Sequence, residues 1–134
     1  MTRQTVLITG ASGFLGTALI TRLNKKYHII GIDKTLHKDR DSNVLWYKVD
    51  ISDKVLLHSA FHEIKAKVSG KIDYVFHLAA YYDMTNKESW RYRETNENGT
   101  RYLLDNLIHF NVNNLIFTSS TVVCKPTMGD DKLN

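Results

Sequence analysis

Five short, β-rich apolar runs alternate along this chain with longer stretches whose apolar residues recur at helical spacing. That alternation constrains the fold more than any other feature. The runs are Thr5–Thr9, Tyr27–Ile32, Val44–Val49, Ile72–Leu78 and Asn114–Thr118. Phe14, Leu15, Ala18, Leu19 and Leu23 predict a first helix with one apolar stripe. Leu57, Phe61, Ile64 and Val68 predict a second, with Ser52 as N-cap, Asp53 in the first turn and Gly70 as stop signal. A third helix is expected over Asn96–Phe110, turning Gly99, Leu103, Leu107 and Ile108 inward. A polar stretch, Lys34–Asn43, joins the second and third runs. Strands separated by helices do not pair as hairpins. They require parallel strands joined by right-handed crossovers, hence a doubly wound α/β sheet.

Composition narrows the function classes. With 134 residues and 43% apolar content, the chain suits one globular core and is not disordered. No apolar run approaches the roughly 20 residues of a membrane span, and the start MTRQT has no signal-like apolar stretch, so no membrane association is expected. One cysteine, Cys124, excludes an intramolecular disulfide framework and points to a reducing, cytoplasmic interior. It has no partner at ligand spacing and no second histidine lies near His77 in sequence, so no metal site is expected. The net charge of +4 comes from scattered Lys and Arg without a recognition motif, which argues against nucleic-acid binding.

The chemistry concentrates in Thr9-Gly10-Ala11-Ser12-Gly13-Phe14-Leu15-Gly16, between the first strand and the first helix. In doubly wound folds this turn lies at the carboxyl end of the strands, where ligands bind. Gly10 allows a sharp turn, and Gly13 lets a pyrophosphate approach backbone N–H groups at a helix N-terminus. Gly16 would let the helix press against the sheet. No Lys-Ser/Thr pair follows, so this is not a phosphate loop of the Walker type. Asp33 ends the second strand, 17 residues after Gly16, near the offset of a carboxylate that accepts both ribose hydroxyls. Such a carboxylate repels a 2′-phosphate, which favours NAD over NADP, although Lys34, Lys38 and Arg40 follow in the loop. Read without the glycines, Asp33 would be an ordinary strand-end turn residue.

The Gly-x-x-Gly-x-x-Gly spacing of TGASGFLG, followed by Asp33, Asp50-Ile51, His77-Leu78-Ala79-Ala80, Asn96-x-x-Gly99-Thr100 and Ser119-Ser120, resembles the NAD-dependent epimerase/dehydratase family. This is the extended branch of the short-chain dehydrogenase/reductases, and the likeness covers essentially the whole chain. It implies a Rossmann-type sheet of five strands in order 3-2-1-4-5, ending before the sixth strand. Residues 1–134 are then a single, incomplete NAD(P)-binding domain. It implies a cofactor set of Gly10, Ser12, Gly13, Phe14, Leu15, Gly16, Asp33, Asp50, Ile51, Leu78, Ala79, Ala80, Asn96 and Thr118. Asp50 would accept from the adenine amino group, Ile51 would pack on its ring, and Leu78–Ala80 would let pyrophosphate and ribose pass close. Asn96 would support the active site from its helix, and Gly99 would allow close helix–sheet packing. Ser120, or alternatively Ser119, would be the catalytic hydroxyl that hydrogen-bonds the substrate.

The residues also carry plainer readings. Asp50 could simply close its strand, Asn96 could face solvent, and the paired serines could only form a loop. His77 reads as a hydrogen-bonded structural residue rather than a catalyst. Tyr81, Tyr82 and Asp83 either line the substrate side or pack. Val123-Cys124-Lys125 stands where the family usually has Val-Tyr-Gly, so sugar-nucleotide specificity is not assumed.

The family's chemistry also needs a Tyr-x-x-x-Lys pair, in which the lysine lowers the pKa of the tyrosine that serves as base. None of the seven tyrosines has a lysine four residues on. The chain is therefore expected to be the N-terminal portion of an epimerase/dehydratase-type oxidoreductase, truncated, binding NAD weakly and inactive alone. The alternative is a non-catalytic NAD(P)-binding or sensing module. An open fifth strand also leads us to expect self-association, as a homodimer or through that edge.

Overall fold

The computed structural model describes residues 3–85 and 87–120. Strands β1 (Thr5–Thr9), β2 (His28–Asp33), β3 (Leu45–Lys48), β4 (Lys71–His77) and β5 (Asn111–Phe117) form one sheet in the order β3-β2-β1-β4-β5. All four pairings are parallel. The expected Rossmann-type topology is therefore present. Helix α1 (Phe14–Leu23) links β1 to β2, and α2 (Lys54–Val68) links β3 to β4. A π-helical segment, Tyr92–Gly99, runs directly into α3 (Thr100–Leu107) before β5. The β2–β3 crossover contains no helix.

Burial on both faces of the sheet explains the apolar runs. Strand β1 is buried throughout, and its side chains alternate between two cores. Val6 and Ile8 join Ala11, Ile20 and Ile29 under α1. Leu7 joins Ile30, Ile32, Leu57, Phe61, Ile64 and Leu103 under α2 and α3.

Three local expectations are corrected. Phe14 is 90% exposed and Leu15 55%, while Gly16 and Ile20 are the buried residues of α1. A Cβ on Gly16 would lie 2.7 Å from Ala11 Cα, so residue 16 must face the preceding loop. At 100° per residue this phase turns 16, 19, 20 and 23 inward and rotates Phe14, Leu15 and Ala18 outward. The tight contact made by Gly16 is thus with loop backbone rather than with the sheet.

The N-cap of α2 is Asp53, not Ser52. Asp53 Oδ1 accepts from the backbone N–H groups of Val55 (3.1 Å) and Leu56 (3.0 Å). Ser52 instead donates its N–H and its hydroxyl to Asp50 Oδ1 at 3.0 and 2.7 Å. At the other end the helix stops, as expected, through left-handed residues, Ser69 (φ 51°) and Gly70 (φ 71°).

The expected third helix is π-helical over its first part, and its inner face is different. Ile108 is 76% exposed, and buried Asn106 takes the inward position beside Leu103 and Leu107. Asn106 stays satisfied there, donating to Tyr102 O at 2.8 Å with its Oδ1 3.0 Å from His58 Nδ1. Gly99 packs against the Ile51 side chain, where a Cβ would lie 2.9 Å from Ile51 Cδ1. The helix therefore approaches the loop after β3 rather than the sheet.

A buried carboxylate ties three strands together at their amino ends. Asp73, on β4, accepts from Thr5 N (2.9 Å), Lys71 Nζ (3.1 Å) and Asn113 Nδ2 (3.1 Å). Burial alone would raise its pKa, but the Thr5 N–H and the Lys71 ammonium outweigh it and hold the group below its ordinary value of 3.8. A depressed carboxylate pKa gives stability that is full above the unfolded value and lost as pH falls through the folded one. Asp73→Asn is expected to cost about 1–3 kcal/mol at neutral pH and to flatten the acid limb of stability against pH. Urea denaturation midpoints from pH 3 to 7, about the range over which carboxylates titrate, check this. An unchanged acid limb would assign the loss to other carboxylates.

Candidate functional site

The carboxyl ends of β1, β2, β3 and β4 enclose a cleft of about 190 Å³. Its walls are Gly10, Gly13, Ile32, Asp33, Lys34, Val49, Asp50, Ile51, Leu78, Ala79, Ala80 and Thr95. Eight of these belong to the cofactor set expected from the sequence.

Gly10 is where the chain can turn. Its φ is +69°, and a Cβ there would lie 2.8 Å from Ala79 N and 2.9 Å from Leu78 C. The left-handed conformation and the closeness of the β4 strap each call for glycine. Gly13 N–H donates back to Gly10 O at 3.0 Å, and Gly13 begins α1 with no side-chain cap. The first turn of the helix is thus left without a side-chain acceptor at its N-terminus, the arrangement that suits an anion.

Asp33 first serves the loop itself. Its Oδ2 accepts from Ser12 N and its Oδ1 from Thr35 N, both at 3.0 Å. A carboxylate offers about four acceptor positions, so each oxygen retains capacity toward the cleft. His37 Nε2 lies 2.8 Å from Ser12 O and closes the same turn from outside. Asp50 is likewise partly used, by Ser52. The strap Leu78–Ala80 is pinned to β1, with Leu78 N donating to Thr9 O (3.1 Å) and Ala79 N to Thr9 Oγ1 (3.2 Å).

Six other residues of the expected cofactor set lie off the walls of this cleft. Ser12 is tied to the cleft wall only by its N–H on Asp33, and its Oγ is buried without a hydrogen-bond partner among the described residues. Phe14 and Leu15 project outward, and Gly16 packs on the loop. Thr118 lies past β5, donating a long 3.5 Å bond to His77 O. Asn96 is a clamp rather than a solvent-facing residue. Its Oδ1 accepts from Tyr81 N (2.7 Å) and its Nδ2 donates to Tyr81 O (2.9 Å). Its neighbour Thr95 reaches the wall instead, a residue with no local sequence signal because the π-helical phase was not foreseen. Ile32 and Val49, also wall residues, were legible only as strand apolars.

Tyr81 and Asp83 belong to the packing around this clamp. Tyr81 meets Tyr92 edge-on at 4.9 Å between ring centroids, and Asp83 N donates to Tyr92 Oη at 3.0 Å. Tyr82 is 69% exposed. Ser119 and Ser120 follow β5 and are exposed, whereas Val123-Cys124-Lys125 lies outside the described residues.

His77 is 2% exposed, and both ring nitrogens face hydroxyls: Thr9 Oγ1 at 2.6 Å from Nδ1 and Thr100 Oγ1 at 2.8 Å from Nε2. Burial pushes its pKa down to about 4, so the ring is neutral at pH 7. Among the described residues no three His, Cys, Asp or Glu side chains are grouped to hold a metal ion. No helix there is long and apolar enough to cross a membrane.

Known proteins are similar to this chain in sequence and fold. A dTDP-D-glucose 4,6-dehydratase of Dictyostelium discoideum is 34% identical over 134 residues, covering 90% of this chain and 30% of the relative. A UDP-glucose 4-epimerase of Drosophila melanogaster is 30% identical over 144 residues, covering 92% and 39%. The chain thus spans 30–39% of the length of these curated relatives. An epimerase structure from Methanothermobacter thermautotrophicus superposes with a TM-score of 0.76 at 26% identity, over 92% of this chain and 37% of that one. The family model described as NAD dependent epimerase/dehydratase matches residues 6–132. With the glycine turn, the strap and the strand order all in place, the chain belongs to the NAD-dependent epimerase/dehydratase family.

Proposed function

We propose that this chain binds NAD in the carboxyl-edge cleft, as the cofactor-binding portion of an epimerase/dehydratase-family oxidoreductase. The observation that carries the reading is the convergence of Gly10, Gly13, Asp33, Asp50-Ile51 and Leu78–Ala80 on one cleft. The residues fit a dinucleotide. Side-chain-free backbone borders the helix N-terminus where a pyrophosphate would lie, and carboxylates with spare acceptor capacity stand on the β2 and β3 side. In this reading Asp33 accepts from the ribose hydroxyls and Asp50 from the adenine amino group, with Ile51 against the ring. Phe14 and Leu15 contribute backbone N–H groups beside the side-chain-free Gly13, and Asn96 holds the wall through Tyr81. Bound nicotinamide would supply reversible hydride exchange with a substrate carbon. Ser120, with Ser119 as the alternative, would hydrogen-bond the substrate hydroxyl or carbonyl, beside Thr118 at the nicotinamide end.

The 134 residues contain no Tyr-x-x-x-Lys pair, so by themselves they supply no base and turn over nothing. The same observation favours the second reading, a non-catalytic module that binds or senses NAD(P). The single cysteine supports a cytoplasmic location. The exposed Leu115, Ile116 and Phe117 of β5 support self-association through that edge.

Titrating the chain with NAD and with NADP, followed by tryptophan fluorescence, tests the proposal. NAD is expected to bind measurably and more tightly than NADP, with no steady-state oxidoreductase or epimerase rate. No NAD binding, or tighter NADP binding, would overturn the cofactor assignment. A steady-state rate would overturn the claim that the base is missing.

A further inference from the structure

We propose that His77 is a positioning residue whose ring ties the two walls of the cleft to each other, Leu78–Ala80 through Thr9 and Thr95 through Thr100. The inference rests on the NAD reading of the cleft.

The donor count sets the direction of the bonds. Thr9 is wholly buried, and its Oγ1 already accepts the Ala79 N–H at 3.2 Å. Its own proton therefore has one acceptor among the described residues, His77 Nδ1 at 2.6 Å. A neutral imidazole carries a single ring proton, which then sits on Nε2 and is donated to Thr100 Oγ1 at 2.8 Å. The result is a directed chain from Ala79 N–H through Thr9 and His77 to Thr100, made inside the protein, where unpaired polar groups are costly.

Thr100 is the first residue of α3, and the π-helical segment that carries Thr95 and Asn96 runs straight into it. Asn96 in turn holds Tyr81, the residue after the strap. The strap, Thr9, His77, Thr100, Asn96 and Tyr81 thus close a ring of contacts around one end of the cleft. The His77 ring also stacks on Phe117 at 5.5 Å and 27°, which brings the end of β5, just before Ser119, into the same assembly. The ring carries out no chemistry here. It sets the distance between walls that must fit a ligand.

Two measurements on the 134-residue chain test this. Long-range proton–nitrogen correlation spectra of the nitrogen-15-labelled chain should show the Nε2–H tautomer for His77, and an Nδ1–H tautomer would overturn the directed chain. NAD titrations should show a dissociation constant raised about tenfold in His77→Phe, which keeps an aromatic ring beside Phe117 but removes both hydrogen bonds. In Thr100→Val, which removes only the far end, the rise should be about threefold. A role confined to stability would lower the unfolding midpoint and leave the affinity of the folded variants unchanged, and that result overturns the proposal. Should His77→Phe fail to fold, Thr100→Val decides by the same criterion. If the unsubstituted chain itself binds no NAD, the reading of the cleft fails and the positioning role falls with it, an outcome distinct from variants that bind normally.

Discussion

Gly10→Ala is expected to remove about 2–5 kcal/mol of folding stability, a large share of the roughly 5–15 kcal/mol that holds a domain together. Two costs combine. An L-residue at φ +69° pays about 1–2 kcal/mol for the left-handed conformation. The new Cβ, 2.8 Å from Ala79 N, must also push the strap away from β1, an overpacking cost of about 1–3 kcal/mol. Gly70→Ala is the control that separates them. Its φ is +71°, but the nearest atom to a new Cβ is the flexible Lys65 Cε at 3.9 Å. Only the conformational cost applies there, again about 1–2 kcal/mol. Urea denaturation of both variants checks the difference, and equal losses would show that the strap yields without cost.

Asp33→Ala should weaken NAD binding at least about 100-fold while weakening NADP binding much less. Hydrogen bonds to a charged acceptor are worth about 1.5–3 kcal/mol each, and the ribose would present two hydroxyls to this carboxylate. The same charge opposes a 2′-phosphate, so with NADP its removal relieves a repulsion that offsets part of the loss. Part of the loss would be indirect, because the Asp33 carboxylate also holds Ser12 N and Thr35 N. Asp33→Asn distinguishes the two, since an amide keeps one acceptor oxygen and removes the charge. Parallel fluorescence titrations with both cofactors supply the measurement. A folded Asp33→Ala chain that binds NAD as tightly as the parent would remove Asp33 from the site.

Much of the fold was legible because its signals are local. The strands of a sheet covered on both faces read as continuous apolar runs, and α2 advertised itself by Leu57, Phe61 and Ile64 at helical spacing. The cleft was legible for a related reason. Gly10, Asp33, Asp50 and Ala79 all stand at or just past strand ends, and parallel strands deliver those ends to one edge of the sheet. Where the residues mislead, a specific contact, local or distant, decides the outcome. Phe14 and Leu15 look like core residues until Gly16 is seen pressed onto Ala11, which fixes the helical phase. Asn96 looks like a surface amide until Tyr81 appears opposite it. Ser52 has the right chemistry for an N-cap, but Asp50 engages its hydroxyl, and Asp53 takes the cap.

By itself, then, the sequence determined the alternation of strands and helices, the glycine turn, the acidic strand ends and the absence of a Tyr-x-x-x-Lys pair. All of these follow from residue type and spacing along the chain. Only the tertiary structure decided that Thr95 lines the cleft while Asn96 clamps its wall, and that His77 faces two hydroxyls. The physical reason is that an orientation is set by close contacts and hydrogen-bond partners many residues away. Thr9 stands 68 positions before His77, and Thr100 stands 23 after it.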